Sequence, residues 1–226
     1  MKKTAVIYIL LIAVGLVYSY INLNVQTAAM PIDSKNIVID PGHGGYDPGK
    51  VASDGTEEKD INLGVARLLA GYMRQGGANV ILTRNSDAAL SEAKREDLKL
   101  RTEFAADKNT DLFISIHQNS FPQESVHGAQ VFYKKDSECG KALAICIQKR
   151  LKEVADIGNT RMPKAEGSYF VLKNSKVPSV IVECGFLSNN EENVRLKTEQ
   201  YQKHLAWAIY MGVLDYYSTD NELLFN

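Results

Sequence analysis

Short apolar, β-branched runs alternate along this chain with segments whose apolar residues recur at helical spacing, and that alternation constrains the fold more than any other feature. Strand candidates are Asn36–Asp40, Asn79–Thr83, Asp111–Ser115, Ala129–Tyr133 and Ser179–Glu183, with a shorter one near Tyr169–Leu172. Between them, Ile61, Val65, Leu68, Leu69, Tyr72 and Met73 mark one helix, which Gly76-Gly77 stops. Further helices are read from about Glu96 to Asp107 and from about Ser137 to Ala155. A C-terminal helix has Tyr201, Leu205, Ala208, Gly212 and Tyr216 on its inner face, with Trp207 at the edge of that face. Ser188-Asn189-Asn190-Glu191 reads as a capping box for a short helix before it. Strands alternating with helices bury both faces of a sheet, so an α/β fold is expected. The chain has 226 residues, 45% of them hydrophobic, which suits one sizeable domain.

The N-terminus departs from this globular composition. Lys2-Lys3 precede an apolar run from Ala5 to about Ile21, followed by the polar stretch Asn22 to Thr27. A positive flank and an apolar segment are the ingredients of an export signal. The run sits at the short end of the roughly 17–25 residues that span a bilayer, so it can also stay as an anchor. Thr27-Ala28-Ala29 offers small residues for a signal peptidase, but several polar residues separate it from the apolar run, which favours the anchor. Either way the two lysines hold the N-terminus inside and place Pro31 to Asn226 outside the cytoplasm, with residues 31–217 as the folded domain. The segment 1–30 is then signal, anchor and linker, and 218–226 a frayed tail.

A formal net charge of −1 without a Lys/Arg stripe argues against nucleic acid as a partner. Cys139, Cys146 and Cys184 form no disulfide or zinc-ribbon pattern. The first two share a helix, where seven residues separate them by about 10 Å, too far for a disulfide. Cys184 is read as a small buried apolar residue.

The chemistry concentrates in four places: His43 in Asp40-Pro41-Gly42-His43-Gly44-Gly45, Glu57-Glu58 at a helix start, His117 in Ser115-Ile116-His117-Gln118-Asn119-Ser120, and Glu183 in Val182-Glu183-Cys184-Gly185-Phe186. Two imidazoles and one carboxylate make a catalytic zinc set with one position open, and a further carboxylate can take a proton from water. His43, His117 and Glu183 each fall at or just beyond the carboxyl end of a strand candidate, where open α/β sheets place their ligands. Glu57 and Glu58 lie in a first helical turn, with Thr56 as N-cap, and spacing does not choose between them as ligand. Arg84 and Arg101 are read as structural ion-pair or helix-end residues. Asn119 and Arg161 are candidate substrate contacts or loop stabilisers. His127 and His204 are read as surface residues.

These motifs resemble the zinc-dependent N-acetylmuramoyl-L-alanine amidases of bacterial cell walls. The resembling segments are Ile39 to Gly45, Glu58-Lys59-Asp60 with Asn62-Leu63, Leu82-Thr83-Arg84, Ser115 to Asn119, and Val182 to Asn189, in family order between about Ile37 and Tyr216. The resemblance implies one zinc ion held by His43, Glu58 and His117, with Glu183 as the catalytic carboxylate; the Glu-Lys-Asp context selects Glu58. It implies a twisted, mostly parallel mixed sheet flanked by helices, and peptidoglycan as substrate. Gln118 and Cys184 depart from the small residues frequent in relatives, which bears on cleft shape. In its short architecture the chain is similar to the spore-cortex members of the family, whose action prepares muramic-δ-lactam. That narrower likeness implies the intermembrane space of a developing spore as its location. The alternatives are a zinc-containing wall-binding module without catalysis, or a zinc peptidase cutting within the stem peptide. A partner that opens the groove or aids metal loading is compatible with all three.

Overall fold

In the computed structural model, which describes residues 2–24, 29–107 and 109–218, an N-terminal helix α1 (Lys2–Asn24) precedes six strands and six further helices. These are β1 (Asn36–Pro41), α2 (Glu58–Gln75), β2 (Asn79–Leu82), α3 (Lys94–Ala106), β3 (Leu112–Asn119), β4 (Gln130–Lys134) and α4 (Glu138–Arg150). There follow β5 (Lys164–Glu166), α5 (Phe170–Asn174), β6 (Ser179–Phe186), α6 (Asn190–Leu196) and α7 (Glu199–Ser218). The strands form one sheet in the order β2-β1-β3-β6-β4-β5. Strands β2, β1, β3 and β6 run parallel, whereas β4 is antiparallel to β6 and parallel to β5. The sheet is mixed and mostly parallel, as expected.

The period-2 alternation of the strands divides their side chains between two unequal layers. Ile37, Ile39, Leu112, Ile114, Ile116, Val131, Val180 and Val182 face the large core beneath α2, α4 and α7. On the other face, Val38 and Phe113 pack with Ala105 and Val171 under α3 and α5, and Phe132 and Ile181 pack with Leu172. Further along the strands on this thinner face, the apolar series gives way to Asp40, Ser115, His117 and Glu183. The chain leaves β1 for β2 on one side and later returns to β3 on the other, so the sheet's switch point lies between β1 and β3. Open α/β sheets leave a crevice there.

Five details differ from the sequence reading. The segment near Tyr169–Leu172 is the short helix α5, not a strand; Val171 and Leu172 are buried, one turn presenting both to the sheet. The edge strand is instead the polar Lys164–Glu166, which carries no apolar pattern to betray it. Thr56 is not the N-cap of α2. That position is Glu57, without a side-chain cap, because Glu58 N–H donates to Lys50 O (2.9 Å) and Lys59 N–H to Pro48 O (3.1 Å). The free donors of the first turn are thus met by a neighbouring loop. At α6 the cap is Asn189, one residue beyond the expected Ser188; its side chain accepts from Glu192 N–H, but the Glu192 carboxylate accepts from Gly128 and Phe186 N–H instead of closing a box. Finally, α4 ends at Arg150 and passes into one π-helical turn, Leu151–Ala155.

All three cysteines are free, and Cys184 is fully buried. In α1 the side chains from Val6 to Val17 are exposed. Among the described residues no helix is long and apolar enough to cross a membrane. Thr27-Ala28 of the small-residue segment and residues 219–226 of the tail lie outside the described residues.

Candidate active site

At the end of β1 the chain must turn sharply beneath β3, and Gly42 allows it. A Cβ there would lie 2.2 Å from His117 Cε1, so only glycine lets the imidazole seat against this backbone. His43 follows with φ of 61°, the left-handed region that side chains other than glycine seldom adopt. Two buried arginines hold the strained segment. Arg101 donates to Pro41 O (2.8 Å) and His43 O (2.7 Å) while pairing with Asp40 (2.6 Å) and Asp97 (2.6 Å). Arg84 donates to Pro41 O, Gly42 O and Lys59 O. Asp40, only 1% exposed, also accepts from Thr83 and Ser115 hydroxyls. Burial pushes the Asp40 carboxyl up, but Arg101 and the two hydroxyls outweigh it and hold the group below its ordinary value. The reading of both arginines as structural therefore holds.

The ligand-type side chains converge on Glu58. His43 Nε2 lies 3.3 Å from Glu58 Oε2 and His117 Nδ1 lies 3.0 Å from Oε1. The two rings meet edge to face with centroids 5.0 Å apart. One ligand atom from each of His43, Glu58 and His117 lies within 4.8 Å of the others. The carboxylate is fixed by Lys50 N–H (2.9 Å), Gln118 N–H (3.0 Å) and Asn62 Nδ2 (3.2 Å). Burial opposes charge on Glu58, yet hydrogen bonds and charges from His117 and His43 hold it ionised, well below the usual range. On His43, Asp47 occupies Nδ1 at 3.0 Å, which turns Nε2 toward the cluster. A carboxylate behind a histidine in this way is the usual support of a metal ligand. Gly49, with φ of 68°, lets its loop pass close to Glu58 and His43.

Glu183 faces this cluster from the neighbouring strand. It is the ladder partner of His117 in β3–β6, just before the register shifts, and of Gln130 in β4–β6. Ladder partners share a face, so all three side chains stand over the same open end of the sheet. Glu183 is 8% exposed, and its buried Oε2 has no hydrogen-bond partner. Burial drives its carboxyl up to about 7; His117 and His43 oppose that shift and the charge on Glu58 reinforces it. A carboxyl poised there suits proton transfer near neutral pH, and its unpartnered buried oxygen leaves an acceptor free beside the cluster.

The structure brings together His43, Glu58 and His117, with Glu183 alongside. Both His117 and Glu183 sit inside strands that run four and three residues further than the sequence pattern shows, to Asn119 and Phe186. Glu57 lies outside the cluster, paired with Lys59 at 3.2 Å. Asn119 and Arg161 do not join it. Asn119 Oδ1 accepts from Ser120 N–H (2.8 Å), while Arg161 donates to His127 O and Gln130 Oε1 and covers the Phe186 ring at 4.7 Å. His127 and His204 are exposed, as read. The sequence reading gave no supporting role to Asp40, Asn62 and Gln118, which it named only within motifs, and passed over Asp47; Asn62, one helical turn from Glu58, carried a signal in its spacing.

Residues 37–215 match the family model described as N-acetylmuramoyl-L-alanine amidase. The germination-specific N-acetylmuramoyl-L-alanine amidase of Bacillus subtilis is 36% identical over 198 residues, covering 84% of this chain and 83% of the relative. The solved CwlD amidase of Clostridioides difficile, in complex with the GerS lipoprotein, superposes with a TM-score of 0.80 at 43% identity, covering 83% of this chain and 100% of that one. The amidase AmiC2 of Nostoc punctiforme gives a TM-score of 0.72 at 32% identity, over 82% and 98% of the two chains. With a match across nearly the whole folded part and the same architecture in its relatives, the chain belongs to the N-acetylmuramoyl-L-alanine amidase family and is a peptidoglycan amidase.

Proposed function

We propose that His43, Glu58 and His117 hold one zinc ion and that Glu183 is the proton-handling carboxylate of the amidase reaction. The bond cut joins the lactyl group of N-acetylmuramic acid to L-alanine of the stem peptide. The observation that carries this reading is the placement of Glu183 across the ladder from His117, buried, with an unpartnered oxygen and a carboxyl at about 7. Two imidazoles and a carboxylate fit zinc with a position left open. When bound, zinc supplies Lewis acidity toward water and the scissile carbonyl. Glu58, ionised and triply hydrogen-bonded, keeps both imidazoles in place. Glu183 takes the proton of the attacking water and returns it to the leaving amine of L-alanine. A groove of about 440 Å³, lined by Lys50, Val51, Ser120, Phe121 and Ser188 among others, runs past the segment that follows His117 and gives room to part of the glycan-peptide. Asn119, next to Ser120 of that groove, and Arg161, over the Phe186 ring, are assigned as substrate contacts.

A wall-binding module without catalysis has no use for a buried, raised carboxyl beside the metal cluster, and the relatives named above are amidases. Digestion of purified peptidoglycan by the full chain, with and without zinc, tests the reading. New L-alanine amino termini are expected only with metal. New amino termini further along the stem peptide would identify a peptidase instead, and zinc binding without any cleavage would favour the module.

Residues 31–217 form the catalytic domain in this reading, 1–30 a signal or anchor with its linker, and 218–226 a tail. The domain acts outside the cytoplasm on spore-cortex peptidoglycan, at the intermembrane space of the developing spore. The partner class is an accessory protein held at the membrane, in keeping with the lipoprotein bound to the Clostridioides relative. Membrane fractionation of the full chain against a version starting at Pro31 checks the anchor, which fails if both are soluble. Muramic-δ-lactam analysis of spores lacking the gene checks the cortex role, which fails if the lactam persists.

A further inference from the structure

Tyr169 brings a free hydrogen-bond donor to the same face of the sheet. Its ring packs edge to face on Phe132, with centroids 5.5 Å apart, and joins Leu172 and Ile181 in a small apolar cluster. In the β4–β6 ladder Phe132 pairs with Ile181, and two residues further along Gln130 pairs with Glu183. Residues two apart on a strand share a face at about 6–7 Å, so Phe132 and Ile181, on which Tyr169 packs, stand one pleat from Glu183 on the same face. The turn that launches it is tied down. Glu166 Oε1 accepts from Gly167 N–H (2.8 Å), Ser168 N–H (2.8 Å) and the Ser168 hydroxyl (2.9 Å). Among the described residues the Tyr169 hydroxyl makes no hydrogen bond. The phenol lies within electrostatic reach of Glu183, Glu166 and Glu58, and burial together with those charges pushes it up to about 12. It is therefore a neutral donor at neutral pH.

We propose that Tyr169 contacts the substrate, its hydroxyl donating a hydrogen bond to the scissile carbonyl oxygen as that oxygen gains negative charge. The proposal rests on the amidase reading with Glu183 as proton acceptor. Tyr169 keeps its proton throughout, and no bond to it forms or breaks. A fixed donor aimed at a developing oxyanion stabilises the transition state more than the bound substrate, so its loss falls on kcat.

The test is Tyr169→Phe in the zinc-loaded full chain on soluble glycan-peptide fragments, because phenylalanine keeps the ring packing and removes only the donor. Expected are a fall in kcat of about 10²–10³-fold and a KM within about twofold of the parent. Zinc content and melting temperature should match the parent. In a Glu183→Gln background, the affinity for uncleaved fragments should be equal with Tyr or Phe at position 169. An unchanged kcat, a loss carried by KM alone, or a loss that follows zinc content would each overturn the assignment. Parent protein active and Glu183→Gln inactive in the same assay show that the amidase reading stands; an inactive parent indicts that reading instead.

Discussion

His117 and Glu183 are direct partners in the β3–β6 ladder, one offering its imidazole to Glu58 and the other presenting an unpartnered carboxyl oxygen on the same face. Ladder geometry, rather than a flexible loop, holds this pair. Replacing Glu183 with Gln keeps its volume and leaves the three ligand-type residues untouched. Zinc content should stay at one per chain while peptidoglycan hydrolysis falls by about 10²–10⁴-fold. Metal analysis paired with fragment release reads both, and cleavage near the parent rate by the variant removes Glu183 from its role.

The same carboxyl makes metal-free stability depend on pH. Folding raises Glu183 from 4.5 to about 7, so between these values the folded chain holds a proton that the unfolded chain releases. Its contribution is greatest below about 4.5 and is lost as pH rises through about 7. In chelator, the melting temperature of the parent should drop relative to Glu183→Gln as pH goes from 5 to 8. Parallel curves for the two proteins would contradict this.

Arg101 is 3% exposed and pairs with an equally buried Asp40. Arg101→Met leaves that carboxylate without its charged partner, removes the bond to His43 O and leaves Pro41 O to Arg84 alone. A cost of about 3–5 kcal/mol is expected in chemical denaturation. The double variant Asp40→Asn with Arg101→Met should recover part of it, because the stranded charge is gone; a single-variant cost under about 1 kcal/mol would show that the pair does not hold the loop.

Gly42→Ala introduces a methyl 2.2 Å from His117 Cε1. The ring or the β1 turn must shift, and the fit to Glu58 goes with it. Zinc affinity, read by chelator competition, should fall by at least about 10-fold, in the range seen when the support of a metal ligand is lost. Gly71→Ala, where nothing lies within 4 Å, is the matched control and should bind zinc as the parent does.

The sequence by itself determined the α/β class and five of the six strands, and it singled out His43, His117 and Glu183, with Glu57 or Glu58, as candidates for the site. It could do so because periodicity reports burial, and because His43, His117 and Glu183 stand near the ends of apolar runs. The tertiary structure alone decided what no local pattern encodes. The β5 edge strand is polar and has no burial to record, and the Tyr-Phe-Val-Leu run became a helix because its neighbours needed Val171 and Leu172 on one turn. Spacing left Glu57 and Glu58 level; convergence with His43 and His117 places Glu58 in the cluster, while Glu57 turns toward Lys59. The buried frame of Asp40, Arg84 and Arg101 joins residues more than forty positions apart. Only the folded chain, through hydrogen bonds made across the sheet's switch point, gives those charges their partners.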